Sequence, residues 1–168
     1  MRFGRALATA VLSAPLPFAG MTEPASAALQ HIIVLQGKVG ARDGVDVWGG
    51  GSVQNELPFR ETFVLTHNDR QKKMTFRVCA GGEARAVLYL RAYLRDDEQV
   101  YVRPNVWLYE GANCDTSDLD ANFWPEAQVM PGGRGSRSWQ IWLPSEETNL
   151  GGRDAAYATI TFTHALFP

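Results

Sequence analysis

The sequence predicts an all-β protein: an antiparallel β-sandwich of about eight strands, of jelly-roll or C2-like type. Three observations carry that expectation. Short runs rich in Val, Ile, Thr, Phe, Tyr and Trp recur between clusters of Gly, Asp, Asn and Pro, and helical periodicity is nearly absent. Several of these runs alternate with a period of two, the pattern of strands with one buried and one wet face. The chain also carries two cysteines, Cys79 and Cys114, behind what reads as an export leader.

The leader comes first. Arg2 and Arg5 give a positive start, Ala6–Leu12 is a short apolar stretch, and Ala25-Ser26-Ala27 supplies the small-x-small pattern that a signal peptidase accepts. Cleavage after Ala27 leaves residues 28–168 as a single domain, secreted to an extracellular or periplasmic space. Pro15 and Pro17 oppose an uninterrupted helix in this segment. No apolar run approaches the ~20 residues that a membrane-spanning helix needs.

Past the leader, strands are expected at His31–Val39, Val45–Trp48, Arg60–Thr66, Lys73–Cys79, Arg85–Arg95, Gln99–Glu110, Ser136–Leu143 and Ala155–His164, with a shorter one near Ala127–Val129. Met74, Phe76 and Val78 alternate with Lys73, Thr75 and Arg77. Trp139, Ile141 and Leu143 alternate with Ser138, Gln140 and Trp142. Ala156, Ala158, Ile160 and Phe162 oppose Tyr157, Thr159, Thr161 and Thr163. The expected core is Ile33, Leu35, Phe63, Leu65, Phe76, Val78, Leu88, Leu90, Val106, Leu108, Ile141, Ile160 and Phe162. Gly40–Phe59 and Gly111–Glu126 are expected to be long loops.

If Arg60–Glu110 is a meander, the loops sort to two ends. His67–Lys72 and Asp96–Glu98 share one. Ala80–Ala84 and Gly111–Asn122 share the other, which places Cys79 beside Cys114. An oxidising compartment favours their pairing, worth about 3–4 kcal/mol in the chain-entropy account. The order Cys79, Trp107, Cys114 does not match the immunoglobulin pattern, whose Trp follows soon after the first cysteine and whose cysteines lie much farther apart.

Composition narrows the function classes. The 168 residues are 45% hydrophobic and 20% charged with a formal net charge of −2, a globular balance without the basic excess of a nucleic-acid binder. Two features could carry a ligand. Tyr89, Arg91 and Tyr93 share one side of a hairpin with Tyr101, Arg103, Trp107 and Tyr109 on its partner strand. Such a wall of rings and guanidinium donors suits carbohydrate. Arg91 is expected opposite Arg103, an arrangement that costs free energy unless an anion or acid lies between. Asp115, Asp118 and Asp120 form an acidic loop that could offer oxygens to Ca²⁺, with Asp43 and Asp46 at the same end.

Catalysis has less behind it. His31, His67 and His164 are the only histidines. No nucleophile elbow, zinc-ligand spacing or phosphate loop is present. The leading expectation is a monomeric, non-catalytic binding or accessory domain for carbohydrate or another surface ligand, with no cofactor. A Ca²⁺-dependent adhesion or membrane-binding module and a small secreted hydrolase are the alternatives.

Overall fold

The structure is a computed structural model that describes residues 29–44, 51–130, 134–146 and 153–167. The expected leader and the expected strand at Val45–Trp48 lie outside the described residues, as does Asp46. The described residues form nine strands: β1 Gln30–Asp43, β2 Val53–Leu65, β3 Gln71–Ala80, β4 Ala84–Leu94, β5 Val100–Tyr109, β6 Leu119–Phe123, β7 Gln128–Val129, β8 Arg134–Pro144 and β9 Ala155–Phe167. No helix among them is long and apolar enough to cross a membrane.

Two antiparallel sheets pack face to face. One has the order β2-β1-β9-β8, the other β3-β4-β5-β6 with β7 also beside β5. Strands β1 to β6 follow one another side by side or, at β2–β3, across facing sheets; β7 lies with β6 against β5, β6 faces β8, and β8 pairs β9. The sandwich is therefore wound as a simple meander, without the crossed Greek-key connections of a jelly roll. β1 and β9 pair from Gln30↔Phe167 to Arg42↔Ala155, so the first and last strands close the ring.

The alternation read from the sequence sets the core. Every expected core residue is buried except Phe76, which packs against the cluster partly exposed and stacks on Phe59 of β2. Each buried Leu, Ile or Phe contributes about 1.5–3 kcal/mol relative to an exposed position. Ala84, Ala86, Ala92, Ala121, Ala156 and Ala158 are also fully or nearly fully buried. These small residues let the two sheets approach closely beside the larger side chains.

Two expected loops are partly strand. β1 runs on to Asp43, and β2 begins at Val53 and pairs with it throughout, from Asp43↔Val53 to His31↔Leu65. The run Val53–Pro58 is exposed throughout and has three consecutive polar residues, Gln54–Glu56, at its centre, so it carries no apolar alternation to mark a strand; β2 is the sheet edge. Within Gly111–Glu126, Leu119–Phe123 pairs with β5 across a register shift at Leu108/Tyr109.

The two ends of the sandwich are as expected. Cys79 and Cys114 form a disulfide with their Cα atoms 5.9 Å apart. Arg85 clamps the same loop by donating from Nη1 to the Cys114 carbonyl at 2.7 Å and from Nη2 to that of Thr116. At the opposite end, Arg70 pairs with Asp96 and His67 with Glu98, which ties the β2–β3 loop to the β4–β5 turn.

Candidate functional site

The outer face of β3, β4 and β5 carries the candidate site. Successive strands are in direct register, so side chains line up in rows across the sheet. Lys73 lies opposite Arg91, which lies opposite Arg103. The next row is Thr75, Tyr89 and Asn105, and the one beyond is Arg77, Val87 and Trp107. Neighbouring strands are about 4.8 Å apart, so each row is a lateral ladder of side chains at that spacing.

A groove of about 320 Å³ crosses these rows, lined by Lys73, Thr75, Tyr89, Arg91, Asn105, Trp107 and Trp124 among others. Trp124 follows β6 and leans back over β5. Its ring lies 5.7 Å from that of Trp107, and the Trp107 ring lies 4.8 Å from that of Tyr89. The successive rings are tilted by 41° and 58°, so they form a curved trough instead of a parallel stack. Trp124 is 52% exposed, a large area of indole left in water at the groove wall. Two polar atoms of lining residues, Asn105 Oδ1 and Trp107 Nε1, are buried with no hydrogen-bond partner among the described residues.

The arginines are held apart by their own contacts. Arg103 donates from Nε to the Pro125 carbonyl at 2.9 Å and lies over the Trp124 ring. Arg91 leans over Tyr93 and reaches Gln71 Oε1 at 3.5 Å. No carboxylate lies between them; among the described residues neither makes an ion pair. Tyr93 and Tyr101 stack on each other at 5.4 Å, one row beyond the cations, with Arg95 over Tyr101. Tyr109, expected on the exposed wall, is buried instead beneath Arg85 and against Trp107. Of the expected residues the groove is lined by Tyr89, Arg91 and Trp107; Arg103, Tyr93 and Tyr101 lie on the same face outside its lining, Tyr109 is buried, and Trp124 and Lys73 join it. Trp124 was hidden from sequence reasoning because it sits in a connection outside any strand; its signal was an indole beside a proline in a polar loop.

The acidic loop does not gather as a calcium site. Asp115 and Asp118 are exposed and Asp120 is half-buried. Among the described residues no three His, Cys, Asp or Glu side chains come close enough to hold a metal ion. Asp118 and Asp120 instead join Glu83, Glu110 and Asp154 around a polar depression of about 490 Å³. Burial pushes the Glu110 carboxyl up to about 7, and the charges of Asp154 and Asp120 add to this against a hydrogen bond from Ser145. Such a carboxyl keeps a proton near neutrality, but the depression offers no aromatic wall to seat a substrate.

All three histidines converge at the other end, which their positions in sequence do not reveal. His31 and His164 point inward from the adjacent strands β1 and β9 and are 1% and 2% exposed. Their rings stack, with His31 Nδ1 3.1 Å from His164 Nε2. His31 Nε2 lies 3.1 Å from Glu98 Oε2, and the other Glu98 oxygen meets His67 Nε2. Hydrogen bonding to His31 holds the Glu98 carboxyl below the usual range, with His67 adding to the effect. Glu98 takes a left-handed φ of 60° to make this reach. The chain of contacts gives the two buried imidazoles polar partners and links β1 and β9 to the β4–β5 turn.

The outer face of the other sheet holds a second exposed indole. Trp142 is 58% exposed and stacks on Tyr157, whose ring lies against Gly40 and whose hydroxyl donates to Glu56 Oε1 at 2.8 Å. The pair lines a shallow depression of about 480 Å³ with Gln140 and Thr159 and has no charged side chain in its lining.

No protein-family model and no curated protein matches the sequence. Among solved structures, the secretin InvG of the Salmonella SPI-1 type III secretion injectisome, in its open gate state, aligns at 11% identity with a TM-score of 0.22. The alignment covers 82% of this chain and 57% of that one.

Proposed function

We propose that the protein is an exported, non-catalytic carbohydrate-binding module that acts as a monomer and seats its ligand across the outer face of β3–β5. The observation that carries this reading is the half-exposed Trp124 ring tilted over Trp107 and Tyr89 in one groove. The C–H faces of pyranose rings pack on aromatic faces, whose π clouds are negative. Lys73, Arg91 and Asn105 line the same groove and offer polar groups for sugar hydroxyls. Binding sites of this kind are mostly apolar walls with a few placed polar groups. The sheet supplies Tyr89 and Trp107 of this wall, and the connection after β6 supplies Trp124.

Affinity electrophoresis against a panel of soluble neutral and acidic polysaccharides tests the reading. The protein is expected to be retarded by at least one polymer, and Trp124→Ala is expected to abolish that retardation with an unchanged melting temperature. Migration unaffected by every polymer, or retardation that survives Trp124→Ala, would sink it.

A further inference from the structure

We infer that the ligand of this groove is an anionic polysaccharide with a carboxylate on successive sugars, a polyuronate. This rests on the proposed carbohydrate-binding reading and narrows its substrate class.

The first support is charge segregation. The chain as a whole carries a formal net charge of −2. Yet β3, β4 and β5 contain no Asp or Glu, and Lys73, Arg77, Arg91 and Arg103 share their outer face; Lys72 is in the alternate register and Arg85 is turned to the Cys114 and Thr116 carbonyls. The groove lining likewise has two cations and no acid. The positive face is therefore local, and it coincides with the aromatic trough.

The second support is the row itself. Lys73, Arg91 and Arg103 sit directly opposite one another on three adjacent strands. Like charges facing each other across a sheet are destabilising. Here no side-chain acid among the described residues pairs with any of the three. An arrangement that raises the free energy of the unliganded sheet is relieved when anions occupy it. Arginine forks fit carboxylates in two-point contacts.

The third is geometry. The row crosses strands whose backbones are ~4.8 Å apart, and its guanidinium groups fan out from it, Arg91 toward Tyr93 and Arg103 toward Trp124. The trough of Tyr89, Trp107 and Trp124 runs alongside it. A glycan lying across the strands would place its ring faces on the aromatics and its carboxylates on the cations. The tilts of 41° and 58° between successive rings suit a twisting sugar chain. Stacked nucleic-acid bases need platforms closer to parallel.

The experiment measures binding of the full mature chain to an oligogalacturonate and to the neutral oligogalactoside of the same linkage and length. Single-stranded DNA of equal charge serves as a third probe. The oligouronate is expected to bind at least tenfold more tightly than the neutral oligomer, and raising salt should weaken only the former. Arg91→Gln is expected to lower oligouronate affinity about tenfold while raising the melting temperature of the free protein, because it removes the facing cations. Trp124→Ala should lower both affinities. Equal affinity for acidic and neutral oligomers would overturn the inference and leave the carbohydrate reading standing. Absence of binding to either sugar would overturn both. Tighter binding to the DNA than to the oligouronate would overturn the inference in favour of a nucleic-acid partner.

Discussion

Single positions show how little slack the sandwich has. A methyl group at Gly37 would fall 2.0 Å from the Thr159 carbonyl of the neighbouring strand and 3.0 Å from the Phe59 ring. Because the obstacle is backbone, Gly37→Ala is expected to destabilise the protein by about 1–3 kcal/mol, as overpacking does, readable as a lowered urea midpoint. Glu110 presents the opposite case. Its carboxyl is pushed above the unfolded value of 4.5 to about 7, so the folded state holds a proton that the unfolded chain releases. The stability this contributes is complete below the unfolded value and is lost as pH rises through about 7. Glu110→Gln removes that loss. At pH 8 it is expected to raise stability by about 1 kcal/mol, since solvent near the carboxyl screens the larger figure that the shift alone would give. At pH 4 the two proteins should unfold alike. Denaturant titrations at the two pH values check both statements.

Among the elements, the β3–β4–β5 meander is fixed by covalent as well as packing forces. The turn Gly81-Gly82, both with positive φ, returns the chain within three residues, and the disulfide then ties β3 to the loop beyond β5. With the cysteines 35 positions apart in the chain, reduction is expected to cost about 4 kcal/mol in the chain-entropy model. Melting with and without reductant, with Cys79→Ser/Cys114→Ser as a control, measures it. These were also the elements most legible in the sequence, because their alternation is clean and their turns are short. The Arg91↔Arg103 register followed from the turn alone. The β2 extension was not legible. Val53–Pro58 lacks apolar alternation, and Pro58 argues against an interior strand, a signal satisfied here because β2 is an edge. Charged Glu56, Arg60 and Glu61 along that edge also discourage pairing with another chain. Trp124 and the histidine cluster escaped for a different reason. Their contacts join positions 17 to 133 residues apart, and alternation within a strand says nothing about which strands meet.

At the scale of the whole molecule, the two ends of the sandwich are held by different chemistry: a disulfide and an acidic depression at one, imidazoles bridged by a carboxylate at the other. Glu98 joins the sheets there, since it comes from the β4–β5 turn and meets His31 of β1. Because its carboxyl is held below the unfolded value, the stability it contributes is present above pH 4.5 and is lost as pH falls through the folded value. Glu98→Ala is expected to lower the melting temperature at neutral pH and to shrink its further fall on acidification. A melting curve that shifts equally at pH 4 and pH 7 would contradict the bridge. The pairing of β1 with β9 has a consequence in time. The second sheet can be completed from neighbouring segments as they emerge, whereas β1 has to wait for β9, made more than a hundred residues later. Contacts of such long sequence separation slow folding. Until the final strand arrives, one side of β1 offers unpaired amides and carbonyls, so a chain that is still being synthesised stays unlocked.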